Sequence, residues 1–275
     1  MYLRLALCCL PILLASCATP PYANDAGMSA SLDRVLASDH RSDTDRERDR
    51  FRHPKETLQF FGLRADMTVV EVWPGSGWYT EVLAPLLRDQ GRLYAAQMDP
   101  ASSDYAKTVV ANYGAKLAQR PALYGKVVVT RLIAAHEKHP IAPAGSADLV
   151  LTFRNLHNWM MFGWEREALA AMHAALKPGG VLGVVEHRGD PDTPQDPKAL
   201  SGYVNEEFAI ERIESAGFKL AARSEINANP KDEKNYEKGV WTLPPTFAAG
   251  ADGRERYAQI GESDRFTLKF VKVAK

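Results

Sequence analysis

The chain has 275 residues, 45% of them apolar and 25% charged, enough to bury one sizeable core, so a single globular domain is expected. Its 34 Lys and Arg balance 34 Asp and Glu. With no net field to gather polyanions, nucleic acid and anionic membrane surfaces are excluded as general partners.

At the start, Met1-Tyr2-Leu3-Arg4 brings one positive charge, and Leu5 to Ala15 is an apolar run. That run is about half of the roughly 20 residues a membrane span needs, so a cleaved export signal is the better reading. Leu14-Ala15-Ser16-Cys17 resembles the lipobox of bacterial lipoproteins. The resemblance implies a signal peptide over 1–16, a lipid on Cys17, and, because Ala18 is not the Asp that favours inner-membrane retention, anchorage at the periplasmic face of the outer membrane. Residues 17–41, which open with Thr19-Pro20-Pro21, read as a flexible tether, and 42–275 as the folded domain. The lipid is then the only expected membrane contact.

Ser42 to Arg52 alternates Asp, Arg and Glu around Phe51 and reads as a solvated helix face. Pro54 to Phe61, with Pro at its start and Gly62 past its end, predicts a short helix. Strands and helices then alternate: strands at 67–72, 92–98, 127–130, 148–153 and 181–186, with helices at 79–88, 103–117, 164–176 and 205–216. Near-continuous apolar strands separated by helices mean a parallel sheet covered on both faces. Two more strands close the chain, at 219–225 and 266–273. The segment between them, 226–264, lacks periodicity and is expected to be a functional or disordered loop.

Val69-Val70-Glu71-Val72-Trp73-Pro74-Gly75-Ser76-Gly77-Trp78-Tyr79-Thr80 is a buried strand that breaks into a glycine-containing turn and opens a helix. This places backbone amides at a helix N-terminus, where Gly75 and Gly77 let a ligand approach and the Glu71 carboxylate can accept from an amine or a ribose hydroxyl. Downstream follow Gly91-Arg92-Leu93-Tyr94-Ala95-Ala96, Ala147-Asp148-Leu149-Val150-Leu151-Thr152-Phe153 and Leu176-Lys177-Pro178-Gly179-Gly180-Val181-Leu182.

In that order and spacing the set resembles the class I S-adenosylmethionine-dependent methyltransferases, over roughly Thr57 to Val273. It is most similar to exported methyltransferase-like proteins whose turn reads Trp-Pro-Gly-x-Gly-Trp-Tyr-Thr. The resemblance implies a Rossmann-like, doubly wound α/β fold with seven strands, mostly parallel with an antiparallel last strand. It implies S-adenosylmethionine as cofactor and a small-molecule acceptor. Glu71 matches the family's acid at the end of the first strand, and Gly75 and Gly77 match its second and third glycines. Trp73 stands at the first glycine, where an indole fills volume that relatives leave open. Gln97 stands where the family has an acid to grip the ribose hydroxyls, and it can bond a diol only as a neutral partner.

A dinucleotide dehydrogenase would need a third glycine where this chain has Thr80. Asn155-Leu156-His157-Asn158-Trp159 follows the fourth strand, at the edge where open α/β sheets bind ligands. Asn155 and His157 are therefore the candidates to orient an acceptor, with His157 able to take its proton, the alternative being a capping Asn and a structurally bonded His. His187 and Asp190 leave the fifth strand at the same edge and with His157 form the one conceivable metal set. No close His or Cys pair supports it, so no metal is expected. A second reading of the whole chain is a non-catalytic envelope module that binds a small ligand in the same cleft.

Overall fold

The computed structural model describes residues 26–135 and 138–273. Seven strands, β1 (Thr68–Val72), β2 (Arg92–Gln97), β3 (Val128–Arg131), β4 (Ala147–Phe153), β5 (Leu176–His187), β6 (Phe218–Ser224) and β7 (Arg265–Lys272), form one sheet in the order β3-β2-β1-β4-β5-β7-β6. β1 to β5 pair in parallel, and β7 runs antiparallel to both β5 and β6. The expected mixed seven-stranded sheet is therefore the one that forms. Its strand order reverses between β1 and β4, the switch point at whose carboxyl edge open α/β sheets bind ligands.

Alternation along the strands divides the core. Val69, Leu93, Leu149 and Leu151 face one side, packed by α1 (Ala26–Leu36), α4 (Pro54–Phe61) and α5 (Thr80–Leu87). Val70, Val72, Ala96 and Val150 face the other, packed by α8 (Leu156–Phe162), α9 (Glu165–Ala175) and α10 (Glu206–Ser215). Between these lie α2 (Asp43–Glu47), α3 (Asp49–Arg52), α6 (Asp104–Gln119) and α7 (Pro121–Tyr124), and α11 (Arg254–Ile260) precedes β7. None of the helices described is long and apolar enough to cross a membrane.

Three expectations need correction. The tether read over 17–41 is, from Ala26 on, helix α1, with Met28 and Leu32 buried in the core. Met28, Leu32, Val35 and Leu36 share one face, a stripe diluted by Ala and Ser. The expected signal peptide, the expected lipidation site Cys17 and the rest of residues 17–25 lie outside the described residues.

The charge run 42–52 is a solvated face along most of its length, but not at its end. Arg52 at its end is buried and bonds the equally buried Glu262 at 3.0 Å, while Arg41 just before it is buried and grips Asp49 through two bonds of 2.6 and 2.7 Å. Segment 226–264 is ordered by buried polar groups. Asn227 donates to Thr57 and Thr267, and Asp232 accepts from the Tyr203 hydroxyl and the Asp264 amide.

Candidate functional site

β1 ends under the turn that carries the glycines. Gly75 (φ 59°) and Gly77 (φ 87°) are both left-handed, which glycine adopts at no steric cost. A Cβ at Gly77 would meet the Tyr113 ring at 3.0 Å, whereas one at Gly75 would meet nothing within 4 Å. The space next to Gly75 is therefore open.

Glu71 lies beneath the turn, almost wholly buried. It accepts from Thr80 Oγ1 at 2.6 Å, and Thr80 Oγ1 in turn lies 3.1 Å from the Tyr113 hydroxyl. Burial pushes its carboxyl up to about 7, against the opposing pull of the Thr80 hydrogen bond and the Lys116 charge. Gln97, at the end of β2, is spent on the backbone: Nε2 donates to the Gly75 carbonyl at 3.1 Å and Oε1 accepts from the Met98 amide. It ties the glycine turn to β2 instead of standing free for a diol.

Trp73 is left-handed (φ 48°), a conformation costing a non-glycine residue about 1–2 kcal/mol. Its indole donates to the Leu132 carbonyl at 3.2 Å and meets Trp159 and Trp164 edge-on at 5.8 and 5.5 Å. This three-tryptophan cluster offsets the strain, and it directs the indole into packing against α8 and α9.

Across the switch point, Asn155 uses its amide to bond the Val72 carbonyl at 3.0 Å and Thr152 Oγ1 at 3.2 Å, joining the ends of β1 and β4. Only its Oδ1 is left to meet a ligand. His157 Nδ1 lies 3.0 Å from Glu186 Oε1. Glu186 also accepts from the backbone amides of His157 and His187, so it acts as an acceptor and the His157 Nδ1 carries the proton. That tautomer leaves Nε2 as the ring's lone pair. Glu186 was passed over in the sequence because its partner lies 29 residues away.

His187 lies beside this pair, its ring 5.3 Å from that of His157 and its Nδ1 2.6 Å from Ser263 Oγ. Among the described residues, His157, Glu186 and His187 each offer one ligand atom, all within 4.8 Å of one another. Asp190 is not with them; it is exposed and caps the turn at Asp192 and Thr193. Burial, then the charges of His157, Arg154, Arg265 and Arg52, hold the His187 imidazole well below the ordinary histidine range. The same positive field opposes a divalent cation, so the trio is better suited to proton handling than to metal.

The arginines behind that field are the second group the sequence did not single out. Arg154, directly after β4, is left-handed (φ 61°), and its backbone amide bonds the Val185 carbonyl at 2.7 Å. A charged residue at the carboxyl end of a strand was the available signal for it. Arg48, Arg52 and Arg265 converge on the one carboxylate of Glu262, at 2.7, 3.0 and 2.6 Å. No local pattern announces this set, because α3 and the start of β7 are far apart in the chain.

Residues 70–184 match a family model described as a methyltransferase domain. A SAM-dependent methyltransferase from Aquifex aeolicus superposes with a TM-score of 0.55 at 17% identity, covering 89% of this chain and 98% of that one. An arsenic(III) S-adenosylmethionine methyltransferase from Chlamydomonas reinhardtii gives 0.51 at 15%, covering 89% and 73%. The [4+2]-cyclase SpnF gives 0.59 at 16%, covering 87% and 86%. No curated protein sequence matches the chain. The glycine turn, the strand order and these likenesses agree: the chain has the fold of the class I S-adenosylmethionine-dependent methyltransferases, with a methyltransferase domain matched over residues 70–184.

Proposed function

We propose that the chain is an S-adenosylmethionine-dependent methyltransferase acting on a small-molecule acceptor. The observation that carries this reading is the His157–Glu186 pair at the carboxyl end of β4 and β5, across the switch point from the open glycine turn. Gly75 and Gly77, with Glu71 beneath them, would hold the cofactor. When bound, its sulfonium supplies an already activated methyl group.

What remains for the protein is to align an acceptor and remove its proton. Glu186 fixes the imidazole orientation and tautomer, and His157 Nε2 draws the proton from the acceptor as it attacks. Asn155, pinned between β1 and β4, keeps the two halves of the cleft in register and can offer Oδ1 to the acceptor. Trp73 and Gln97 shape the walls.

Calorimetry with S-adenosylmethionine, its demethylated product and NAD⁺ tests the cofactor assignment. Binding of the first two and not the third is the expected result, and a chain that takes up no adenosyl sulfonium compound would sink the reading.

We propose further that the chain is a lipoprotein anchored at Cys17 on the periplasmic face of the outer membrane, a reading supported by Leu14-Ala15-Ser16-Cys17 and by Ala18. Palmitate labelling that disappears in Cys17→Ala, with a mature mass lacking residues 1–16, is expected. Labelling that survives the substitution would exclude the anchor.

A further inference from the structure

We propose that Arg154 is the receptor for an oxyanion on the acceptor, a carboxylate or phosphate group held at the carboxyl edge of the sheet beside His157 and His187. This rests on the methyltransferase reading for the word acceptor, and on the charge arrangement for the site itself.

Among the described residues the Arg154 guanidinium makes no hydrogen bond and no ion pair. Its charge nevertheless acts on Arg52, Tyr79 and His187, and it is itself acted on by Arg265, Glu262 and Arg48. Arg48, Arg52 and Arg265 contact the Glu262 carboxylate, and the half-buried Arg154 guanidinium adds a fourth positive charge within electrostatic reach of it, an excess of three. Glu262 is saturated by Arg48, Arg52 and Arg265. Burial works against its ionised form, yet the arginines hold it well below the usual carboxylate range, and its direct contacts go to Arg48, Arg52 and Arg265 rather than to Arg154.

Like charges gathered at a half-buried site repel, and an oxyanion that reaches Arg154 from solvent would relieve that repulsion. Desolvation, and then the Arg265 charge, lower the Arg154 guanidinium to about 10 against the opposing pull of Glu262, which fits a cation that no carboxylate contacts directly. A planar fork of donors suits a carboxylate or phosphate taken bidentately. Left-handed backbone at a non-glycine residue is strain of the kind that gathers at ligand clamps, and Arg154 carries it at the end of β4.

The position selects the acceptor over the cofactor. Arg154 follows β4, and Arg265 pairs with His187 at the end of β5, whereas the glycine turn and Gln97 lie on β1 and β2. An anion here would sit next to the His157 that removes the proton, which places a nucleophile on the same small molecule within its reach.

The test uses the full-length chain, in potassium phosphate, sodium acetate and sodium chloride at matched ionic strength. Phosphate or acetate is expected to raise the unfolding midpoint above chloride, and whichever does so names the anion. Arg154→Gln should abolish that difference and weaken calorimetric binding of the stabilising anion at least about tenfold, while Arg154→Lys, which keeps the charge and loses the fork, should fall between. Without anion, Arg154→Gln should melt no lower than the parent, because it removes an unmatched charge.

Equal stabilisation by all three salts, or an anion effect that survives Arg154→Gln, would overturn the proposal. A variant that melts lower in chloride would make Arg154 structural and overturn it too. If Arg154→Gln loses affinity for S-adenosylmethionine but not for 5′-methylthioadenosine, the guanidinium serves the cofactor's own carboxylate and the acceptor assignment falls. The salt arm needs no cofactor, so a chain that binds phosphate but no S-adenosylmethionine would refute the methyltransferase reading and leave the anion site standing.

Discussion

Replacing His157 by alanine is expected to slow methyl transfer by about a hundredfold or more, the scale of a positioned general base, while leaving S-adenosylmethionine affinity unchanged. The reason is geometric. Glu186 is fully buried and spends its oxygens on His157 Nδ1 and on the backbone amides of His157 and His187, so only one tautomer fits. Glu186→Gln replaces an acceptor-only group by one that also donates. It should cost less than the loss of the ring and should displace the pH profile of the rate, because the imidazolium formed on proton removal loses its counter-charge. Transfer of tritiated methyl into the small-molecule fraction of an envelope extract reads the rate, and calorimetry reads the binding. An undiminished rate in His157→Ala would leave the pair as a clamp on the loop after β4 and nothing more.

Glu71→Gln is expected to stabilise the chain by about 3 kcal/mol at pH 8 and by nothing at pH 4. The Glu71 carboxyl titrates at about 7 in the folded chain, against 4.5 as its ordinary value, because burial penalises its charged form. A raised acid binds its proton more tightly in the folded state. Its contribution to stability is therefore fully present below pH 4.5, is lost as pH rises from there to about 7, and stays lost above. The gap between the two values corresponds to about 3 kcal/mol. Glutamine keeps the shape and an acceptor for Thr80 but never ionises. Urea unfolding of both proteins across this range should show the parent losing that stability and the variant not losing it. Parallel curves would mean that Glu71 is solvated and ionised throughout.

The strands were legible because each buried strand is a short apolar or β-branched run, and the turn because glycines at 75 and 77 break one such run. Pro54 and Gly62 marked the ends of α4, since φ at proline is preset and Gly62 (φ 81°) closes the helix left-handed. Helix α1 was not legible: its four apolar residues are spread through a segment of Ala, Ser and charge, and only contact with α4 and α5 makes it a helix rather than a leader. The run 42–52 misled for a related reason. Arg48 and Arg52 look solvated until Glu262, 210 residues from Arg52, is brought to them.

At the candidate site the division falls the same way. Position at the carboxyl edge singled out Asn155 and His157 by sequence alone, since the residues that follow strand β4 must lie there whatever their partners. What each side chain does there was decided by the fold. Packing turned Asn155 into a tie between β1 and β4, Gln97 into a brace for Gly75, and Trp73 into part of a tryptophan cluster. Likewise only the fold gave His157 its Glu186 and gathered three arginines on one carboxylate. Local sequence determines where the chain is strand, turn or helix, because those choices rest on backbone preference and periodic burial. Which charges and donors meet is decided by long-range packing, because a hydrogen bond or an ion pair depends on distance in space and not on distance along the chain.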